Sequence, residues 1–511
     1  MEEMIRKIYK PVLITWIVSA LCYLPFIAKG LTNSVDGLWA STYYQAGNIE
    51  LGSGRWALLF LDKARLGYGA EPFSTLLALL FLSMAAYISI SMFMDIRKSN
   101  YVYAMLITCC TSTCCILAYR FTSANYCFGV LLSVLSVYFV LRESDEKKVR
   151  IRNTIIAIAI LIFSTGIYQV DLGVFAVLVI LNMMKLIYKE DNRNCFRVFK
   201  VSAVVFVVSC ILYKIAWNVC MMARHISASS YNGADSVSVF GMLSGIPSGL
   251  CVIYKAWSDY FSFTQGNYVL APIRAFVAFV LFIALFVVGV RKLAKQPKNA
   301  IIYGILWVLL PVAANIAIIL APSMKTVMMQ MTVPMAFALP LAMCFLDEIG
   351  IIRKWTISAL CIILLYGNIF AVGADIDAMA QGSNSSNMIM NNIAVTLNQK
   401  QLLSDDYDYA FFGNISANEL FKKNELYDMA SPYAKFGTMQ TKPDMVHKSY
   451  IGLLDDIGLD LEIVDNEKYL ELYDSGILDN MPAYPEEGSI IEKDGVVIVK
   501  VSDDYIFGKY G

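Results

Sequence analysis

Long apolar runs recur over the first three quarters of this chain, and they limit it to very few architectures. No water is available inside a bilayer to pair with exposed N–H and C=O groups, so such runs fold as helices whose backbone bonds are internal. About 20 apolar residues cross the hydrocarbon layer. Eleven runs are read, at 11–30, 72–94, 101–118, 126–142, 153–168, 171–188, 200–220, 271–290, 300–320, 327–346 and 355–373. The composition agrees, with 58% hydrophobic and 16% charged residues, against roughly 45–50% apolar in soluble domains. The first run is not followed by a small-x-small cleavage site, so it is expected to stay as a span and not to be removed as a signal. The expectation is an all-α polytopic membrane protein of about 11 transmembrane helices.

Lys and Arg are unevenly shared among the connections. One set contains Arg6, Lys7, Lys10, Arg97, Lys98, Arg142, Lys147, Lys148, Arg150, Arg152, Lys189, Arg193, Arg197, Lys200, Arg291, Lys292, Lys295, Lys298, Arg353 and Lys354. The alternate set is much poorer. Because cytoplasmic loops carry the excess of Lys and Arg, the N-terminus is expected inside the plasma membrane of a bacterial cell. An odd number of spans then puts the C-terminus outside, together with the long loops 31–71 and 221–270.

The formal net charge is zero, but residues 374–511 hold 24 acids against 10 bases, and residues 1–373 hold 17 against 31. An acidic soluble tail and a membrane part obeying the charge bias account for this split. It argues against nucleic-acid binding. All twelve Cys fall in residues 22–361, so no disulfide framework supports the tail. The cluster Cys109, Cys110, Cys114 and Cys115 is expected to be packing, since thiols are small and apolar.

Two domains are expected: 1–373, embedded in the membrane, and 374–511, a small acidic extracytoplasmic α+β domain. Within loop 31–71 a short helix is read from Arg55, with Trp56, Leu59, Phe60 and Leu66 on an apolar face and Arg55 and Asp62 turned to water. Residues 221–270 read as an external loop, broken at Pro247, with a short helix near Ile253–Phe261. In the tail, Tyr409–Phe412 reads as a strand, 415–430 as a helix capped by Ser416, and Ile490–Val499 as a hairpin turning at Asp494-Gly495. No internal repeat is visible, which counts against an inverted-repeat transporter.

Several residues suit group transfer from a phosphate-linked lipid. Such a reaction needs a base for the acceptor hydroxyl and positive charge for the departing phosphate. Asp36 follows the first span closely enough to stand near headgroup depth, although a solvated loop acid before a turn glycine explains Asp36-Gly37 equally well. Arg55 pairs with phosphate oxygens through a planar fork, or it snorkels to lipid headgroups; Gly54 before it would start a helix whose N-terminus favours anions. Trp56 reads as an interface anchor. Arg120, Asn125, Tyr168, Gln169 and Asp171 flank connections too short to hang in water, and Lys325 occupies a short external loop. An ion pair among them and a substrate contact are equally consistent with these positions. With only two His residues, a multi-histidine zinc site is excluded and a His-based triad is disfavoured. The Gly241–Ser248 run lacks the lysine of a phosphate-binding loop.

The order Asp36-Gly37, then Gly54-Arg55-Trp56 after the first span, then Gly166-Ile-Tyr168-Gln169 resembles the type II serotype-converting glucosyltransferase family of bacteria. Lys10-Pro11 resembles its Gram-positive members, and the Asp494–Lys500 hairpin is also familiar. The likeness covers about residues 1–373 and implies a GT-C type membrane glycosyltransferase. It would take a hexose, glucose by the family, from a polyprenyl phosphate and give it to a cell-surface polysaccharide or teichoic-type polymer, with membrane lipids around it. By the likeness Asp36 is the expected base, Arg55 the phosphate contact, and Tyr168 and Gln169 line the cavity. Many relatives carry an acid where this chain has Asn125, leaving Glu50, Asp62 or Asp171 as substitutes. Asp36 acting alone and Asp36 holding a divalent metal ion both stay open. Two other functions fit the same composition: a flippase or transporter of lipid-linked sugars, and a membrane-anchored envelope-assembly subunit working through its acidic tail.

Overall fold

The computed structural model describes residues 2–33, 36–39, 43–95, 100–229, 239–262, 270–320, 329–350, 354–439 and 443–505. Its helices run in the order α1 (Glu2–Cys22), α2 (Leu24–Lys29), α3 (Asp36–Trp39), α4 (Asn48–Gly52), α5 (Leu58–Ala64), α6 (Phe73–Ser91), α7 (Tyr101–Thr108), α8 (Thr111–Ala118), α9 (Ser123–Leu141) and α10 (Lys147–Ile167). Then follow α11 (Asp171–Tyr188), α12 (Asn192–Ala223), α13 (Val239–Ser262), α14 (Leu270–Lys292), α15 (Pro297–Ala314), α16 (Ile316–Leu320), α17 (Val333–Glu348) and α18 (Lys354–Gln399). The last part carries β1 (Asp408–Phe412), α19 (Glu425–Met429), α20 (Pro443–Asp456), α21 (Asn466–Asp474), β2 (Ile490–Lys493) and β3 (Val496–Lys500). The chain forms two compact units, one of residues 1–24, 44–117 and 122–372, the other of residues 25–43, 118–121 and 373–511.

In the first unit α11 is the central helix, packed on α9, α10, α12, α15 and α17. Gly173 makes this closeness feasible, because a Cβ there would press on the Ala314 carbonyl and the Pro334 ring at 2.7 Å; small residues let helices approach where no hydrophobic effect drives them together. Among the described residues, eight helices are long and apolar enough to cross a membrane, or nine if α7 and α8 form one span bent by 47°. That criterion does not reach the expected eleven. The first apolar run is divided between α1 and α2, and the run at 327–346 contributes only the 16-residue α17, buried from Val333 to Leu346. The break between α7 and α8 is satisfied internally: the Tyr23 hydroxyl donates to the Thr108 and Cys110 carbonyls, both at 3.1 Å. Cys109, Cys110, Cys114 and Cys115 beside it are all buried.

Within 221–270, the short helix read near Ile253–Phe261 is present but much longer than expected. Residues 239–262 form the 24-residue α13 with Pro247 inside it, packed on α14, α15 and α16. Its Ser and Gly content suggested a loop, but helices are stabilised mainly by packing and only weakly by propensity.

In the second unit, β3 lies between β1, which it pairs in parallel, and β2, which it pairs antiparallel. The β2–β3 hairpin turns at Asp494 (φ 54°) and Gly495 (φ 79°), as an Asp-Gly signal requires. Ala410, Phe412, Val496, Ile498, Tyr469 and Leu478 form its core. The helix expected over 415–430 is reduced to a single turn at Ile415–Ala417 and α19. Asn414, not Ser416, caps that turn. Asn418 donates to the Tyr484 and Val501 carbonyls at 2.7 and 2.6 Å and accepts from Leu420 N–H, so local side-chain bonds draw the backbone out of a helix.

Candidate active site

Residues 44–66 of the first unit fold over the adjoining ends of α9, α10 and α11, and the motifs read separately in the sequence interlock there. The Trp56 indole lies directly on Gly166, where a Cβ would meet Cε2 at 2.6 Å. Ala57 N–H donates to the Gly166 carbonyl at 2.9 Å. Gln169 donates through Nε2 to the Ser53 carbonyl at 2.7 Å and to the Tyr213 hydroxyl at 2.9 Å. Tyr213 in turn donates to the Gly54 carbonyl at 3.0 Å. Gly54 has φ 88°, and a Cβ on it would overlap both Tyr213 and Gln169. Two glycines are thus required by close approach, and Trp56 is a buried packing residue flanked edge-on by Phe60 and Phe163.

This interlock holds Arg55 at the bend. Its backbone N–H donates to the Glu50 carbonyl at 2.9 Å. Its guanidinium donates to the Tyr126 hydroxyl at 3.3 Å and lies 5.2 Å from the centre of the Tyr168 ring. Tyr126 and Tyr168 are stacked, with centroids 4.7 Å apart. The planar cation is therefore oriented by a pair of parallel rings, an arrangement that supports bidentate contact with an anion. The helix expected from Arg55 begins later, at Leu58, so Gly54 marks the left-handed bend before it and offers no helix N-terminus.

Two carboxylates, Glu50 and Asp62, lie on either side of Arg55 in the sequence. Glu50 accepts from Gly47 N–H at 2.7 Å and from the Tyr44 hydroxyl, and burial, together with Glu50's charge, pushes the Tyr44 phenol up. Asp62 is 1% exposed, contrary to its expected place on a water-facing surface. The reason is its set of partners: Arg65 Nε at 3.0 Å and Asn125 Nδ2 at 2.8 Å on Oδ1, and Ala46 N–H at 2.9 Å on Oδ2. Burial raises its carboxyl above the ordinary value, against the lowering effect of those same partners.

Asp171 is also buried, but it serves the helix packing. Its Oδ2 accepts from Ser164 at 3.1 Å and lies where a Cβ on Gly129 would be, and its carbonyl accepts from Ser133 at 2.7 Å. Lys325 lies outside the described residues. Asp36 and Arg120 belong to the second unit. Asp36 opens the one-turn α3, which packs on α20; Gly37 behind it donates to Asn33 Oδ1 at 2.8 Å. Arg120 donates to the Gly30 carbonyl at 2.6 Å and acts on Asp456. No three His, Cys, Asp or Glu side chains among the described residues are grouped to hold a metal ion.

Tyr126 and Tyr213 escaped sequence reasoning. Tyr126 directly follows Asn125 at the start of a span, a recognisable position; Tyr213 sits within an apolar run and gives no signal.

Helices of this length and hydropathy, with ionisable and aromatic groups gathered where three of them end, define a multi-pass membrane protein. A family model described as glucosyl transferase GtrII matches residues 39–346. The chain belongs to that family, as its short motifs suggested, and is accordingly a membrane glycosyltransferase. No curated protein and no solved structure matches it.

Proposed function

We propose that this enzyme moves a hexose, glucose by its family, from a polyprenyl-phosphate donor to a polysaccharide or teichoic-type polymer on the outer face of the plasma membrane. The observation that carries the reading is the Arg55 guanidinium, held over Tyr168 and against Tyr126. As the glycosidic bond to phosphate breaks, charge grows on the leaving oxygens, and a fixed planar cation is most effective there. A carboxylate removes the acceptor hydroxyl's proton as that oxygen attacks the anomeric carbon, with inversion; Asp36 is assigned this role from the resemblance. Glu50 and Arg120 are assigned to substrate contact, and Tyr168 and Gln169 to the cavity wall.

An outer-face location is supported by the connections. Arg142, Lys147, Lys148 and Arg150 join α9 to α10, and Lys189 and Arg193 join α11 to α12, whereas the Arg55 cluster gathers at the opposite helix ends. The charge bias places the basic ends in the cytoplasm, together with the N-terminus, and residues 374–511 outside as an extracytoplasmic domain.

The test is transfer of labelled glucose from polyprenyl-phosphate glucose by purified protein in lipid, with cell-wall polymer as acceptor. Arg55→Ala should lower the rate by about 10²-fold or more, and Asp36→Ala likewise. Wild-type transfer by Asp36→Ala removes Asp36 as the base; transfer from a nucleotide sugar alone removes the lipid donor.

A further inference from the structure

At the other end of the same helices lies an unassigned pocket. A cavity of about 280 Å³ opens among the last turns of α6, α9 and α11 and the first turns of α12, and its lining includes Arg142, Lys185, Arg197, Glu143, Asn182 and Asn194. Three cations face one carboxylate. Lys185 donates to the Met92 and Phe93 carbonyls at 3.0 and 2.7 Å, closing the end of α6. Asp95 and Glu348 also act on it, against Lys189, so Lys185 adds little surplus charge. The two arginines supply the surplus. Arg197 donates from Nε to Asn194 Oδ1 at 3.3 Å and from one terminal nitrogen to Glu143 at 2.9 Å. That Glu143 side chain is 59% exposed, and an exposed ion pair is weak and exchangeable. Among the described residues Arg197's hydrogen bonds engage Nε and one terminal nitrogen, and Arg142 stands exposed on the same rim.

We propose that this pocket binds a phosphate group, as the headgroup of an anionic lipid or as a soluble phosphate compound, with Arg142 and Arg197 as its two forks. Planar guanidinium groups match phosphate oxygens, and two from different elements, one just past the end of α9 and one in α12, define a site where a diffuse positive surface would not. The pocket stands at the basic end of the helices, level with Lys147, Lys189 and Arg193, where phosphate-bearing headgroups lie. Phe196 and Phe199, on either side of Arg197 in sequence, are 57% and 52% exposed, as expected of a helix bordered by acyl chains. Because the site is separate from the Arg55 cluster, the inference stands whether or not the donor assignment above is right.

The full-length protein, purified in detergent, is titrated with phosphatidylglycerol and with phosphatidylcholine, and retained lipid is counted by native mass spectrometry. Protection of Arg197 from phenylglyoxal by inorganic phosphate is measured in parallel. Preferential retention of phosphatidylglycerol, lowered about fivefold by Arg142→Gln or by Arg197→Gln, assigns the pocket to a lipid headgroup. Protection by inorganic phosphate without lipid preference assigns it to a soluble phosphate. Arg150→Gln/Arg152→Gln, on the exposed part of α10, should leave both readouts unchanged. An equal loss in that control, or neither preference nor protection in the wild type, overturns the proposal.

Discussion

Asn125 donates through Nδ2 to Oδ1 of Asp62 at 2.8 Å, joining the first turn of α9 to the short α5 that follows Arg55. Where the family resemblance led to the expectation of an acid, this chain has the amide of Asn125, and it holds a carboxylate from the loop that carries Arg55. Asp62 also fixes Ala46 and Arg65. With both oxygens engaged and 1% exposure, it ties the loop carrying Glu50 and Arg55 to the start of α9.

Asn125→Ala leaves a buried carboxylate short of one donor and should cost about 1–3 kcal/mol. Asn125→Asp should cost more at neutral pH, since two carboxylates within hydrogen-bond reach cannot both ionise, and should recover as the pH falls. Thermal unfolding of the detergent-solubilised variants between pH 5 and 8 checks both; equal stability of Asn125→Asp and wild type at neutral pH would contradict the pairing.

The raised Asp62 carboxyl has its own pH signature. Between its unfolded value and its higher folded value the native state binds more protons than the unfolded one, so this group lowers stability as pH rises through that window. Wild type should therefore gain stability relative to Asp62→Asn as pH falls from neutral towards the ordinary carboxylate value. A parallel pair of melting curves would show that Asp62 is not desolvated.

His447 behaves in the opposite sense. Burial against Tyr469, with ring centroids 5.2 Å apart, lowers its pKa, and Asp465 only partly opposes this. The unfolded state then binds more protons, so stability is lost as pH falls through the unfolded value of about 6.5. Replacement by Gln should flatten this part of the profile, read on the full chain by hydrogen exchange at β1 and α21.

Gly54→Ala and Gly166→Ala test the interlock. The first combines a left-handed backbone with overlap on Gln169 and Tyr213, and the second drives a methyl into the Trp56 ring. Each should cost about 1–3 kcal/mol, and each should reduce glucosyl transfer because Arg55 loses its support. Unchanged transfer by Gly166→Ala would show that Trp56 does not register the loop.

Tyr126→Phe removes one hydroxyl and keeps the stacked ring, so transfer should fall only about three- to tenfold. Arg55→Lys removes the planar fork and should fall much further despite its retained charge. A full rescue by lysine would reduce Arg55 to a point charge.

The sequence by itself determined the helical membrane class, the basic and acidic partition, the Asp494-Gly495 hairpin and the family likeness. Those properties depend on local composition, turn chemistry and short motifs. It also placed Gly54-Arg55-Trp56 and Gly166-Ile-Tyr168-Gln169 in order, but gave no reason for their association. Tertiary structure supplied that reason, because an indole can lie on α10 only where residue 166 has no side chain. Tertiary packing also turned a Ser- and Gly-rich segment into α13 and buried Asp62, which amphipathic spacing had directed to water. Asp171, an attractive cavity acid by position, proved to be held by Ser164 between α9 and α10. The burial of a charge depends on the donors that surround it, and Ala46, Arg65 and Asn125 meet around Asp62 only when the chain is folded.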